Sequence, residues 1–270
     1  MTQAVPGTLS HDEYCTELAE QARLFRAAVR GADLSVRVPT CPDWTLGDLV
    51  RHLGGAYRWV GETVRTRAKE QVADEDVPGF SGPGDEAGAE ALDAWFAESA
   101  DLLVGELRAT GPEAPVWTWS ADHTAGFWAR RATHETVVHR ADACAAAGVE
   151  YEVAPAVAAD CLDEWLEIVS SPLTWEFKPT LHSLTSRAGD TLHLHATDAP
   201  EALVAEWVIE LGSSGVSWRR AHAKSTVAVR GPLTDLLRVL LRRLPPTSPR
   251  VDVLGDTGLL DFWLDNVSFE

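Results

Sequence analysis

The spacing of apolar side chains divides the chain into a helical first half and a mixed second half. In the first half, apolar residues recur every three or four positions in four separate stretches, which is the pattern of amphipathic helices. The first stretch opens with Ser10 and Glu13, a capping-box pair that predicts a helix N-terminus, and it ends near Gly31. The second opens near Thr45, after a proline-bearing segment that is predicted to form an extended turn, and the fourth covers residues 124–147. Four such stripes predict a four-helix bundle.

The pattern changes after Gly148 to short alternating runs that are typical of strands. These runs are DTLHLHAT, EWVIEL, GVSWRRAHA, STVAVRG and RVDVLG. Helices are predicted in APAVAADCLDEWLEIVSS, in LTDLLRVLLRRL after Pro232, and in the closing GLLDFWLDNVSF. The second half is therefore predicted to be an α+β domain with a mostly antiparallel sheet. We place the domains at residues 8–150 and 151–270.

Composition narrows the classes of function. With 41 acidic and 23 basic side chains, the formal net charge of the chain is -18, which disfavours nucleic acid and anionic lipid as partners. No apolar run approaches a membrane span, and MTQAVPGTLSHDEY has no secretory signal pattern. The four cysteines are scattered without a CxxC pair, as expected of reduced thiols. We expect a soluble cytoplasmic protein with small-molecule ligands.

Candidate chemistry lies in the fourth predicted helix, at HETVVH. Glu135 and His139 are four residues apart and share one helical face, whereas His134 points about 100° away. The pattern is therefore not the H-E-x-x-H of metalloproteases. His52, at the edge of the apolar stripe of the second helix, is a candidate third ligand, because two imidazoles and a carboxylate form a known catalytic zinc set. The alternatives are a surface Glu–His pair and a core histidine satisfied by hydrogen bonds.

Two longer motifs strengthen the metal hypothesis. The stretches VPTCPDWTLGDLVRHLG (38–54) and WARRATHETVVHRADA (128–143) resemble the mycothiol-dependent maleylpyruvate isomerase family. The tail from GDTLHLHAT to VLGDTGLLDFWL is similar to the C-terminal domain of that family. The resemblance implies an α plus α+β architecture, with a DinB-like four-helix bundle followed by a sterol-carrier-like domain. It also implies that His52, Glu135 and His139 are the metal ligands.

The same resemblance implies an enzyme with zinc, or another divalent metal, and mycothiol, the thiol of actinobacteria. A metal-bound thiolate would attack an electrophilic small molecule, either in a maleylpyruvate-type cis–trans isomerisation or in thiol S-transfer. Two alternatives stay open. One is a metal-dependent hydrolase or amidase that uses zinc-bound water, and the other is a non-enzymatic protein that binds a small ligand.

Arginines of the second domain are candidates for binding an anionic substrate. We single out Arg219 and Arg220 as catalytic candidates, and Arg230 as a further cation for binding an anionic substrate. Because neighbours on a strand face opposite sides, at most one of Arg219 and Arg220 would face a cleft. The alternative for each is a solvated arginine that limits pairing at a sheet edge.

Three other features have two interpretations each. His193 and His195 share one strand face, but without a third ligand in view they favour a polar sheet face over a metal pair. Cys41 is either a reactive thiol or a packed residue at the entrance of the second helix. Trp117 and Trp119 either line a substrate mouth or pack in the core.

Overall fold

The computed structural model describes residues 9–268, apart from the side chain of Asp85. The chain divides into two compact units, one formed by Ser10–Tyr151 and the other by the residues from Glu152 onward. The predicted domain ends at 8 and 270, and the last residue of the predicted closing helix, lie outside the described residues. Within 9–268, no helix is both long and apolar enough to cross a bilayer.

The first unit contains four long helices, as the apolar stripes predict. They are α1 (His11–Val29), α2 (Leu46–Thr66), α3 (Gly88–Thr110) and α4 (Ala125–Ala147). Helix α1 packs along α4, and α2 packs along α3, with further contacts between α1 and α3 and between α2 and α4. The apolar stripes meet in a shared core, in which Leu18, Leu53, Leu103 and Val137 are fully buried.

Local sequence signals set the helix ends. Ser10 accepts a hydrogen bond from the backbone of Glu13, and the Glu13 carboxylate accepts one from the Ser10 backbone, which completes the predicted capping box. The same reciprocal arrangement joins Thr45 and Asp48 at the start of α2. Gly148 ends α4 in the left-handed conformation, at a φ of 69° that glycine adopts without strain.

The segment before α2, predicted as an extended turn, forms a two-stranded antiparallel ribbon. Its strands are β1 (Arg37–Val38) and β2 (Cys41–Thr45). The ribbon contacts α2 and α4. It therefore brings the end of β2 close to the helices that carry the candidate ligands.

The second unit is α+β, as predicted. Its elements are α5 (Pro155–Ser170), α6 (Pro172–Phe177), β3 (Thr191–Ala196), β4 (Glu206–Leu211), β5 (Val216–Arg220), β6 (Val227–Gly231), α7 (Leu233–Leu240), β7 (Asp252–Gly255) and α8 (Thr257–Val267). The five strands form one sheet in the order β5-β4-β3-β6-β7. The pair β3–β6 is parallel and the other three pairs are antiparallel.

The two faces of the sheet differ in character. Leu192, Leu194 and Trp207 are fully buried, and helices α5 and α7 pack against the sheet. The alternating residues of β3, His193 and His195, lie on the opposite face.

Three details differ from the sequence prediction. Helix α6 and a 3-10 helix over Pro179–Arg187 occupy a stretch for which no element is predicted. Helix α7 ends at Leu240, before the end of the apolar run LTDLLRVLLRRL. Arg242 there takes a φ of 61°, and Pro245 and Pro246 follow, so the chain cannot continue as a helix.

Candidate metal centre

Helices α2 and α4 bring the three predicted ligands together. The Nε2 atom of His139 lies 3.1 Å from Oε1 of Glu135, and Nε2 of His52 lies 3.7 Å from the same oxygen. The donor atoms of His52, Glu135 and His139 all lie within 4.8 Å of one another. The His52 and His139 rings meet edge to face, with centroids 5.0 Å apart. Two imidazoles and a carboxylate thus converge on one point.

His139 is held in place from behind by a buried carboxylate. Its Nδ1 atom lies 2.9 Å from Oδ2 of Asp142, which is fully buried. Thr40 donates a hydrogen bond of 2.5 Å to the other oxygen of Asp142. An Nδ1–H donated to Asp142 leaves Nε2 of His139 as the nitrogen that points to Glu135 and can coordinate a metal. This is the carboxylate–histidine arrangement that orients metal-binding imidazoles.

The same neighbours change the proton affinity of His139. Burial disfavours the imidazolium, but the hydrogen bonds to Asp142 and Glu135 outweigh it and raise the pKa of His139 to about 9. A metal ion at this position would therefore compete with a proton at neutral pH.

Glu135 stays ionised despite its surroundings. Burial raises the pKa of its carboxyl group, but the charge of Arg131 and the hydrogen bonds of His139 and His52 hold that pKa well below its usual range. Arg131 lies one turn earlier on α4, with Nη2 2.8 Å from Oε2 of Glu135. An ionised carboxylate is the form that binds a cation.

One side of the cluster is accessible from solvent. The side chains of His52 and Glu135 are 39% and 35% exposed, whereas that of His139 is 9% exposed. Trp44, in β2, forms a wall beside the imidazoles, with its ring centroid 4.6 Å from that of His52 and 6.2 Å from that of His139. A molecule from solution can reach the point where the three donors converge.

The donor set fits a catalytic zinc ion. Three protein ligands from nitrogen and oxygen, with an accessible side, leave a coordination position for a substrate. The predicted exclusion of His134 agrees with its place in the fold, since it is fully buried with its ring edge-on to Tyr14. The role of His52, Glu135 and His139 as ligands remains a prediction.

Sequence reasoning missed the residues that support the three ligands. Asp142 follows His139 by three positions and so lies on the same side of α4. This spacing could have predicted the contact from the sequence. Arg131 precedes Glu135 by four positions in the same way. Trp44 and Thr40 had no such signal, because only the folding of the β1–β2 ribbon brings them to α4.

The arginines proposed for substrate binding have partners within their own domain. Arg220 forms a two-point ion pair with Asp163 of α5, at 2.7 Å and 3.2 Å, and their side chains are only 7% and 1% exposed. Arg219 is exposed and pairs with Glu210, and the exposed Arg230 lies 3.6 Å from Asp252. The structure gives Arg220 a structural partner, and its catalytic role, like that of Arg219, remains a prediction.

The remaining candidates lie in packed surroundings. Cys41 is half-buried in β2, and none of the four cysteines, all within the described residues, forms a disulfide. Trp117 belongs to an aromatic cluster with Trp59 and Trp128, at centroid distances of 5.7 Å and 6.4 Å. Trp119 packs edge-on against Phe127. These contacts favour the packing interpretation for both tryptophans.

Comparison with known proteins places both halves of the chain in one family. Residues 15–144 match the model of the mycothiol maleylpyruvate isomerase N-terminal domain, and residues 156–262 match that of the MDMPI C-terminal domain. No match was found among curated protein sequences.

Two crystal structures have a similar fold over most of the chain. One is of a mycothiol-dependent maleylpyruvate isomerase, with a TM-score of 0.55 at 18% identity. The other is of a mutant of such an enzyme, with a TM-score of 0.56 at 16% identity. Each alignment covers 93% of this chain and 94% of the other. At this identity the likeness shows the fold alone.

Proposed function

Because the chain belongs to the mycothiol-dependent maleylpyruvate isomerase family, we propose that it is a zinc-dependent cis–trans isomerase of the maleylpyruvate type. In this proposal the thiol cosubstrate is mycothiol, the second substrate is an anionic, electrophilic alkene, and the enzyme works in the cytoplasm. The observation that carries the proposal is the convergence of His52, Glu135 and His139 beside an accessible surface.

The thiol chemistry follows from the donor set. His52, Glu135 and His139 would hold a zinc ion through two neutral imidazoles and one carboxylate, and this centre of net charge +1 would supply a Lewis acid that lowers the pKa of an incoming thiol. Addition of the thiolate to the double bond leaves a single bond about which the substrate rotates. The electron pair that the addition moved onto the adjacent carbonyl group, as an enolate, then returns and expels the thiolate, which restores the double bond in the trans form and consumes no oxidant or reductant.

The residues around His52, Glu135 and His139 hold these side chains in the orientation and ionisation state that metal binding needs. Asp142 fixes the orientation and tautomer of His139, and Arg131 keeps Glu135 ionised. Trp44 shields one side of the two imidazoles, which limits the directions from which a thiol and an alkene reach them. These side chains act by holding and orienting the ligands, so the same site is compatible with different electrophiles.

The test compares the wild type with the double variant His52→Ala, His139→Ala. The wild type should isomerise maleylpyruvate only when mycothiol is present, and the double variant should lose this activity together with one bound zinc. A matched control is His123→Ala, because His123 is exposed in the same domain and outside the cluster. That variant should keep both zinc and activity.

Two results would overturn the proposal. One is a double variant that binds as much zinc as the wild type, and the other is a zinc-loaded wild type whose activity does not depend on a thiol. A cobalt-substituted protein whose visible spectrum is unchanged by mycothiol would support the hydrolase alternative. Conjugates formed with epoxides or haloalkanes, without isomerisation, would support S-transfer.

A further inference from the structure

A second group of metal-ligand side chains lies in the α+β domain. His193, His195, Glu206 and His222 each offer a donor atom, and these four atoms lie within 4.8 Å of one another. None of the four belongs to the centre formed by α2 and α4. The group supplies the third and fourth ligands that the sequence motif HLHAT lacked.

The sheet explains how residues so far apart in sequence converge. His193 and His195 alternate on β3 and therefore share one face. Glu206, at the start of β4, lies directly opposite His195 in the antiparallel register. After β5 the chain continues beside β4, with the backbone N–H of Ala221 donating to the carbonyl of Glu206, and the next residue is His222. The adjacent strands β3 and β4, and the segment that follows β5, thus bring four side chains together.

The contacts centre on a single oxygen atom. Oε2 of Glu206 lies 2.9 Å from Nε2 of His193, 2.8 Å from Nδ1 of His195 and 2.6 Å from Nδ1 of His222. The centroids of the three rings form a triangle with sides of 5.9 Å, 5.2 Å and 5.9 Å. The three imidazoles therefore surround the carboxylate oxygen with one nitrogen each.

Hydrogen bonds alone do not account well for three imidazoles around one carboxylate oxygen. Three N–H donors would crowd onto one carboxylate oxygen, which has two lone pairs. A cation placed between the four side chains would instead take one lone pair from each imidazole and one from the carboxylate. With Zn–N distances of about 2.0–2.1 Å, a tetrahedral ion keeps its donors about 3.3 Å apart. The carboxylate oxygen would need to move away from each nitrogen by less than about 1 Å.

The nearby arginines pair with other acidic residues, so the Glu206 carboxylate can bind a cation. Arg230 lies opposite His195 in the parallel register with β6, but its guanidinium lies 3.6 Å from Asp252. Arg219, on β5, pairs with Glu210. Both cations therefore have their own acidic partners.

We propose that His193, His195, Glu206 and His222 form a second metal site, for zinc or a similar first-row transition ion. Three imidazoles and one carboxylate suit such ions, whereas calcium and magnesium prefer oxygen ligands. Four protein ligands complete a tetrahedral shell, which is typical of a structural site and leaves no position for a substrate.

The structural role is to tie an irregular segment to the sheet. Residues 221–225 have no regular secondary structure between β5 and β6. The side chain of His193 is 7% exposed at the base of the site, whereas that of His222 is 74% exposed at its rim. A bound ion would link His222 to His193 and so restrict the motion of residues 221–225.

The experiment isolates this site in full-length protein that carries no added histidine tag. In the His52→Ala, His139→Ala background, equilibrium dialysis should find one zinc per chain. Adding His195→Ala and His222→Ala should remove it, with zinc affinity falling by roughly 100-fold or more. Zinc should also slow hydrogen exchange in residues 221–225 in the first protein and not in the second.

His182→Ala is the matched control, because His182 is exposed in the same domain and outside the cluster. Its zinc binding should be unchanged. Since His222 is exposed, the single variant His222→Ala repeats the test without disturbing the buried part of the sheet, and circular dichroism checks the fold. The proposal is wrong if the folded His52→Ala, His139→Ala protein binds no zinc, or if replacing His195 and His222 leaves its zinc affinity unchanged.

Discussion

At the scale of single residues, Asp142 decides how His139 presents its nitrogen atoms. The carboxylate is fully buried and accepts hydrogen bonds from His139 and Thr40. No other described side chain is seen to hydrogen-bond to Nδ1 of His139. The zinc affinity proposed for this centre therefore depends on a residue that is not itself a ligand.

We predict that Asp142→Asn lowers zinc affinity by about 10- to 100-fold, because an amide fixes the imidazole less well than a carboxylate does. Competition with a chromogenic chelator measures this change in the His195→Ala, His222→Ala background. Thr40→Val is the control, since it removes one hydrogen bond to Asp142 and keeps the contact with His139. Equal affinities in Asp142→Asn and its parent would contradict the prediction.

Arg220 is the second residue with a clear role in the structure. Besides its ion pair with Asp163, it donates to the backbone carbonyl of Leu203 and stacks over Trp207, with its guanidinium 5.1 Å from the ring centroid. Trp207 also donates to Asp163, at 2.7 Å. These contacts join β4, β5 and α5 in the core of the domain.

We predict that Arg220→Met lowers the free energy of unfolding by about 3–5 kcal/mol, because it leaves the Asp163 carboxylate buried without its partner. Urea denaturation followed by circular dichroism measures the loss. The double variant Arg220→Met, Asp163→Leu should recover most of this stability. Isomerase activity in the double variant then tests the predicted catalytic role separately, and a stable single variant would refute the structural one.

At the scale of elements, an ion pair connects two helices of the first domain. Arg26 of α1 holds Asp93 of α3 through two hydrogen bonds, of 2.7 Å and 2.8 Å. This contact lowers the pKa of Asp93, with the hydrogen bond from Arg26 as the largest cause. The side chains are 29% and 40% exposed, so solvent screening keeps the contribution small.

We predict that Arg26→Gln destabilises the protein by up to about 1 kcal/mol at pH 7 and by less at pH 3. The pKa of Asp93 is lower in the folded than in the unfolded state, so the stability from the pair is present above an unfolded pKa of about 3.9 and is lost as the pH falls through the folded value. Urea unfolding at both pH values measures it.

Arg23→Gln is the control for this pair. Arg23 binds Glu20 within the same helix, and the two side chains are 61% and 45% exposed. Replacing Arg23 should lower the free energy of unfolding at pH 7 by less than replacing Arg26 does, because Arg23 does not connect α1 to a second element. A loss for Arg26→Gln that is the same at pH 7 and pH 3 would show that Asp93 is not the cause.

The β1–β2 ribbon is the element that sequence periodicity described least well. Its residues were predicted as an extended turn, and yet it supplies the Trp44 wall and the Thr40 hydrogen bond. Strands as short as these leave no alternation to detect. Their place depends on contacts with α2 and α4 that form only in the folded chain.

At the scale of the whole molecule, charge is the dominant feature. A net charge of -18 opposes compaction through the repulsion of like charges. Many of the basic side chains pair locally with acids, as Arg65 does with Glu62 and Arg187 with Asp190. Acidic side chains outnumber basic ones by 18, so such pairing cannot neutralise the chain.

We predict that raising the salt concentration from 0.01 M to 0.1 M increases the melting temperature by a few degrees, because the screening length falls from about 30 Å to about 10 Å. Differential scanning calorimetry measures the shift. Sodium chloride and choline chloride should act alike, since ionic strength is the cause. A melting temperature that falls with salt would mean that screened attractive pairs outweigh the repulsion.

The sequence by itself determined the secondary-structure elements and, in each of the two candidate metal sites, the pair of ligands that lie close together in sequence. Helix caps, apolar stripes and strand alternation are properties of neighbouring residues, so they predicted the α plus α+β fold, which the structure confirms. The spacing of Glu135 and His139 on one face of α4, and of His193 and His195 on one face of β3, follows from the same local periodicity.

Only the tertiary structure decided what completes these pairs. His52 meets Glu135 because α2 packs against α4, and Glu206 and His222 meet His193 because of strand order and register. It also directed Arg220 towards Asp163. Such contacts join residues that are distant in sequence, and their geometry is set by the packing of whole elements, which no local pattern in one sequence encodes.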